Sequence, residues 1–106
     1  QALMLLNNNS ILDSSRALGN WAAQQKGNEE AVIHALFQRV LTRPPDAHEM
    51  KVMTGFHAKQ TKRFSADKKM ATQIVGPNPK ASPEAVAAWV ALGRSLLNTH
   101  EFITRN

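Results

Sequence analysis

Apolar residues recur along this chain at intervals of three and four, and no stretch alternates with period two, so the pattern predicts helices and not strands. Ala2, Leu3, Met4, Leu5 and Leu6 predict a short first helix over about residues 1–7. Asn7-Asn8-Asn9-Ser10 reads as a break that supplies N-cap side chains for the next helix. That second helix is expected over about 11–25, with Ile11, Ser15, Leu18, Trp21 and Ala22 on one stripe. Gly27 suits a left-handed C-cap and Asn28 the following N-cap. A third helix over about 29–41 carries a wide apolar face of Val32, Ile33, Leu36, Phe37, Val40 and Leu41, and is expected to be the central one. Glu29 and Glu30 open it and Arg39 and Arg43 lie at or past its end, as the helix dipole favours.

Pro44-Pro45 forces a stop, and Arg43 is expected to cover the open carbonyls of the helix before it. Asp46 and Glu49 have capping-box spacing for a fourth helix, whose stripe is Met50, Met53, Phe56, His57, Gln60 and Phe64. Ser65-Ala66-Asp67 marks a kink or a fresh start before a short segment ending at Val75. Gly76-Pro77-Asn78-Pro79-Lys80-Ala81 is a loop. Ser82-Pro83-Glu84 gives a cap, a proline at the first helical position and an acid in the first turn of the last helix. That helix is expected to reach about Leu97. Asn98 would end it, and Glu101 would cap a final turn that sets Phe102 and Ile103 against the core. Trp89, Leu96, Leu36, Phe37 and Val40 are the expected core. The fold expectation is all-α: one compact bundle of five or six short helices over residues 1–106, antiparallel neighbours joined by short loops.

Composition narrows the class. A chain of 106 residues can bury one core, and 42% hydrophobic residues make disorder the weaker expectation. With no cysteine, disulfides, thiolate zinc sites, iron–sulfur clusters and covalent haem attachment are excluded within these residues. No run approaches the ~18 apolar residues of a membrane span, and the opening residues carry no signal-peptide pattern. The chain begins at Gln1 inside an apolar helical pattern with no cap before it. We therefore expect the C-terminal part of a longer domain, with an apolar surface that preceding residues or a second copy would cover.

Charge is unevenly placed. The net charge is +5, and Lys51, Lys59, Lys62, Arg63, Lys68 and Lys69 with the single acid Asp67 account for all of it. Lys59, Lys62, Arg63, Lys68 and Lys69 are therefore the candidate anion-binding face, for a glycan, a nucleic acid or an acidic neighbour. Nucleic acid is disfavoured, because Phe56 and Phe64 belong to the apolar stripe and leave no exposed aromatics for base stacking. A solvated lysine-rich face that keeps the protein soluble is the preferred reading.

Catalytic and metal-binding patterns are lacking. His34, His48, His57 and His100 form no same-face pair on one helix, so a metal or haem site would have to be assembled across helices. They read as surface or satisfied, half-buried histidines. Ser82 sits in no Gly-x-Ser-x-Gly elbow, the glycines cradle no phosphate, and Asp67 and Glu84 form no carboxylate pair. The expectation is therefore no catalytic residues, no cofactor and no metal.

Three blocks carry a family resemblance: Gln1 to Asn7; Ala35 to Pro45 followed by Glu49; and Trp89 through Leu96-Leu97-Asn98 to Glu101-Phe102. Together they resemble the tail of a C-terminal domain of unknown function found in planctomycete-type secreted multidomain proteins, often beside a cytochrome-c-like domain. The resemblance implies an exported bacterial protein, with this segment as an accessory module acting through contacts with neighbouring domains or with itself. It implies no catalytic residue here, and the companion domain's haem-attachment motif is absent from these residues. The alternative from the residues themselves is a basic-face module for an anionic polymer.

Overall fold

A computed structural model describes the backbone of residues 8–104 and the side chains of residues 10–99. Among the described residues five helices follow in order: α1 (Asn8–Ala23), α2 (Glu29–Leu41), α3 (Ala47–Ala66), α4 (Lys68–Val75) and α5 (Pro83–Thr104). The protein is an all-α bundle, as the periodicity predicts. The expected helix over residues 1–7 lies outside the described residues.

Local capping sets most boundaries. The Asn28 side chain accepts the Ala31 N–H at 2.9 Å and opens α2. Asp46 and Glu49 form the full reciprocal capping box of α3. Asp67 makes a fresh start: it ends α3, and its side chain accepts the Met70 N–H at 3.0 Å to begin α4. Thr42 takes a left-handed conformation (φ 56°, ψ 31°) and returns its N–H to the Gln38 carbonyl. The sequence predicts this stop from Pro44-Pro45; the chain turns at Thr42, one residue before Arg43, whose helical geometry Pro44 disfavours.

Three boundaries differ from expectation. Asn8, Asn9 and Ser10 belong to α1 and do not precede it, and α1 ends at Ala23, where Gln24 and Gln25 close tighter turns onto Trp21 and Ala22. Asn98 does not end α5, which continues to Thr104. Asparagine in a helix interior costs only several tenths of a kcal/mol, too little to stop a helix by itself. The expected cap at Glu101 is thereby replaced by helix, while the packing of Phe102 and Ile103 lies outside the described side chains.

The central helix is α5 and not α2. Val86, Ala87, Ala88, Trp89 and Val90 are five consecutive buried residues, so α5 is covered on every side at this level. One flank packs Trp89, Leu92 and Leu96 against Val32, Ile33, Leu36 and Phe37 of α2, with Met50, Met53 and Phe56 of α3 closing the layer. The other packs Val86, Ala87 and Val90 against Phe64 of α3 and Ala71 and Val75 of α4. Small residues let α1 approach closely: Gly19 lies on Val90, and Gly93 lies on Leu18 near the Ser15 carbonyl. Buried Ser15 satisfies its hydroxyl within α1 by donating to the Ile11 carbonyl at 2.7 Å.

Polar groups of α1 pin α4 and its loop. Arg16 donates through Nε to the Ile74 carbonyl at 2.9 Å and through Nη2 to the Gln73 carbonyl at 3.1 Å, covering the last turn of α4. Asn20 Oδ1 accepts the Lys80 N–H at 2.7 Å. Gly76 between these clamps has φ +72°, and a Cβ there would stand 2.8 Å from the Arg16 guanidinium carbon.

Candidate functional site

The most organised polar constellation joins three helices. His57 of α3 is half-buried, and its Nδ1 N–H donates to Oε2 of Glu29 in the first turn of α2. The ring lies on Trp89 of α5, centroids 3.9 Å apart and planes inclined by 28°. A carboxylate that orients an imidazole supplies two of the three members of a hydrolytic triad. Here no nucleophile bonds the ring: the Glu29 bond is its one hydrogen bond among the described residues, and one face of the imidazole lies on the indole. The trio therefore fastens the start of α2 and the middle of α3 to the centre of α5. His34 and His48 are exposed on α2 and α3, and the side chain of His100 lies outside the described set. No group of three or more metal-ligating side chains occurs among the described residues.

The α2–α3 corner is held by Arg43 and Glu49. Two parallel bonds of 2.7 and 2.8 Å join guanidinium and carboxylate, and Glu49 Oε1 also accepts the Asp46 N–H at 3.0 Å. Arg43 thus clamps the next helix and leaves the carbonyls of α2, which it was expected to cover. A bidentate carboxylate outcompetes neutral carbonyls for a guanidinium. The Arg43 bonds, and after them the Asp46 backbone N–H, push the Glu49 carboxyl down to about 2 from its ordinary 4.5. A carboxyl depressed on folding contributes stability that is fully present above about pH 4.5 and is lost as the pH falls toward 2. Glu49→Gln should therefore flatten stability over that window and leave its dependence above pH 5 unchanged. Urea unfolding at stepped pH checks this; an unchanged acid limb would show that the pair contributes nothing.

The candidate basic residues divide between two helices. At 100° per residue, Lys51, Lys59, Lys62 and Arg63 fall within roughly a 120° arc of α3, opposite the buried Phe64. All four are exposed, as are Lys68 and Lys69 of α4. Lys68 faces Glu84 at 3.8 Å and is partly neutralised. Arg63 turns toward the bundle, over the Phe64 ring at 5.5 Å, so the continuous cationic strip is Lys51, Lys59 and Lys62.

Clefts open on the surface between the described helices. One of about 190 Å³ lies between α2, α3 and α5 and is lined mainly by Phe37, Leu41, Val52, Met53 and Leu96. Val52 on its edge is the one large hydrophobic exposed among the described residues, at 47%. A second, of about 390 Å³, involves Leu18, Val40 and Leu97 and explains why Val40, expected in the core, is only half-buried. The third, of about 260 Å³, lies between α1, α3, α4 and α5.

No helix among the described residues is long and apolar enough to cross a membrane. Fold and surface together define a small all-α bundle with polar clamps between its helices. A family model described as "PSD1: Protein of unknown function (DUF1553)" matches residues 1–57, more than half of the chain, and the chain belongs to that family. The match covers α1, α2 and α3 as far as His57, and includes two of the three sequence blocks noted above. Most of the basic strip, α4 and α5 lie beyond it. No curated protein and no solved structure matches the chain.

Sequence reasoning missed the Glu29–His57–Trp89 trio and the role of Arg16. Glu29 and His57 stand 28 positions apart on different helices, and no periodic signal links them.

Proposed function

We propose that this bundle is a non-catalytic accessory module at the C-terminus of a larger exported bacterial protein, where it docks against a neighbouring domain of the same chain. The observation that carries this reading is the apolar cleft between α2, α3 and α5, with Val52 exposed at its edge. A solvent-facing valine beside Phe37, Leu41 and Met53 is the composition of a contact surface. The planctomycete-type setting and the cytochrome-c-like companion belong to this proposal through the family resemblance. Val52→Asp should leave the melting temperature of the 106-residue chain unchanged within error, because the site is exposed. In the parent protein the same change should speed proteolytic release of the module. Release at the wild-type rate would rule out docking through this cleft.

A second reading, a basic face for an anionic polymer, draws support from the Lys51–Lys59–Lys62 strip. It requires salt-dependent retention on heparin, and Lys59→Ala with Lys62→Ala should lower the log–log salt slope by about one unit per lost contact. Retention unaffected by the pair would leave the strip as a solvated face.

A further inference from the structure

We propose that the cleft between α1, α3, α4 and α5 is a binding site for a small organic anion with an apolar body, of the medium-chain carboxylate class. This inference uses neither the Val52 cleft nor the lysine strip, so it stands or falls apart from both readings above. The walls are apolar: Leu12 from α1, Phe56 and Phe64 from α3, Ile74 from α4 and Val90 from α5. Two arginines also line the cleft, Arg63 of α3 and Arg94 of α5, and among the described residues no carboxylate does. Neither arginine makes an ion pair among the described residues. Besides its place over the Phe64 ring, Arg63 makes one hydrogen bond among the described residues, a long one of 3.5 Å to Gln60, which lines the same cleft.

The surrounding charges reinforce this. Asp67, four residues beyond Arg63, is committed to capping α4 through the Met70 N–H. Arg16 stands beside the α4 edge of the cleft, fixed to the carbonyls of Gln73 and of the cleft residue Ile74, and adds a third positive group. Cationic groups at the mouth of an apolar-walled concavity focus a positive potential on it. A guanidinium presents a planar fork matched to a carboxylate. The apolar walls favour a ligand that also removes hydrocarbon from water. The volume, about 260 Å³, falls just under the ~300–1,000 Å³ of drug-sized pockets and so suits a short chain or a single ring.

The test is a titration of the 106-residue chain with octanoate, octanol, octylammonium and acetate, followed by backbone amide NMR shifts. Octanoate should give saturable shifts centred on Gln60, Arg63, Val90 and Arg94, and bind at least about tenfold more tightly than the other three, since charge-assisted bonds are worth that much. Arg63→Ala combined with Arg94→Ala should remove most of this preference, with helix content unchanged because both side chains are exposed. Equal binding of octanoate and octanol would reduce the cleft to a greasy crevice and overturn the proposal. So would shifts that fall elsewhere, or no saturation at millimolar ligand. The comparison of octanoate with octanol on the unaltered chain decides the matter even if the double variant fails to fold.

Discussion

Trp89→Ala is expected to destabilise the bundle by about 3–5 kcal/mol, the range for deleting a buried indole. Trp89 is only 8% exposed and packs between α2 and α3 on the central helix. Removing the ring opens a cavity where three helices meet. His57 would also lose its stacking surface and leave its bond to Glu29 open to water. The two losses should be coupled. Combined with His57→Ala, the cost should fall short of the sum of the single changes by about 0.5–1.5 kcal/mol. Urea unfolding followed by circular dichroism measures each term. A cost below about 1 kcal/mol for Trp89→Ala would remove the indole from the core and this account with it.

Gly19→Ala is expected to cost about 2 kcal/mol or more, against the usual direction for alanine in a helix. In α1 the substitution gains up to about 1 kcal/mol of helix propensity. The added Cβ, however, would stand 2.3 Å from Cγ2 of Val90, 2.8 Å from its backbone nitrogen and 3.0 Å from its Cα. The Val90 methyl can rotate, but the backbone of a buried central helix cannot, so α1 and α5 must separate along their whole contact. Overpacking of this kind costs about 1–3 kcal/mol, sometimes more, and exceeds the gain. Gly55 provides the opposite sign. It is exposed in the middle of α3 with nothing within 4 Å of a new Cβ, so Gly55→Ala should stabilise by about 0.5–1 kcal/mol. Thermal melts should separate the two, since each kcal/mol moves the midpoint of a domain this size by about 4–8 °C. Two stabilising glycine changes would mean that α1 does not lie on α5 as described.

These two glycines show what a sequence pattern carries and what it leaves out. Both interrupt helical stretches, and the periodicity treats them alike. Only the crossing of α1 over α5 makes one indispensable and the other a weakness. The same division holds for the polar residues. The capping box of Asp46 and Glu49 was legible because its partners lie three residues apart, within one turn. The destination of Arg43 was not, because carbonyls behind it and a carboxylate ahead of it compete for one guanidinium, and three-dimensional proximity decides between them. The basic cluster was legible as a count. Its separation into a lysine strip and an arginine turned toward a cleft followed from the rotation of α3 in the bundle.

By itself, the sequence determined that this protein is helical, where α2, α3 and α5 begin, and that Leu36, Phe37, Trp89 and Leu96 are buried. Each of those facts rests on spacing or on a bond reaching no further than one helical turn. Only the tertiary structure decided that α5 and not α2 is the central helix, and that α5 runs past Asn98. It also joined Glu29 to His57, fixed Arg16 on the end of α4, and drew Arg63 and Arg94 to one cleft. Those outcomes depend on which faces meet. That is set by the total apolar surface the helices can bury together and by the small residues that let two backbones touch, a property of the whole packed bundle that no single window of the chain contains.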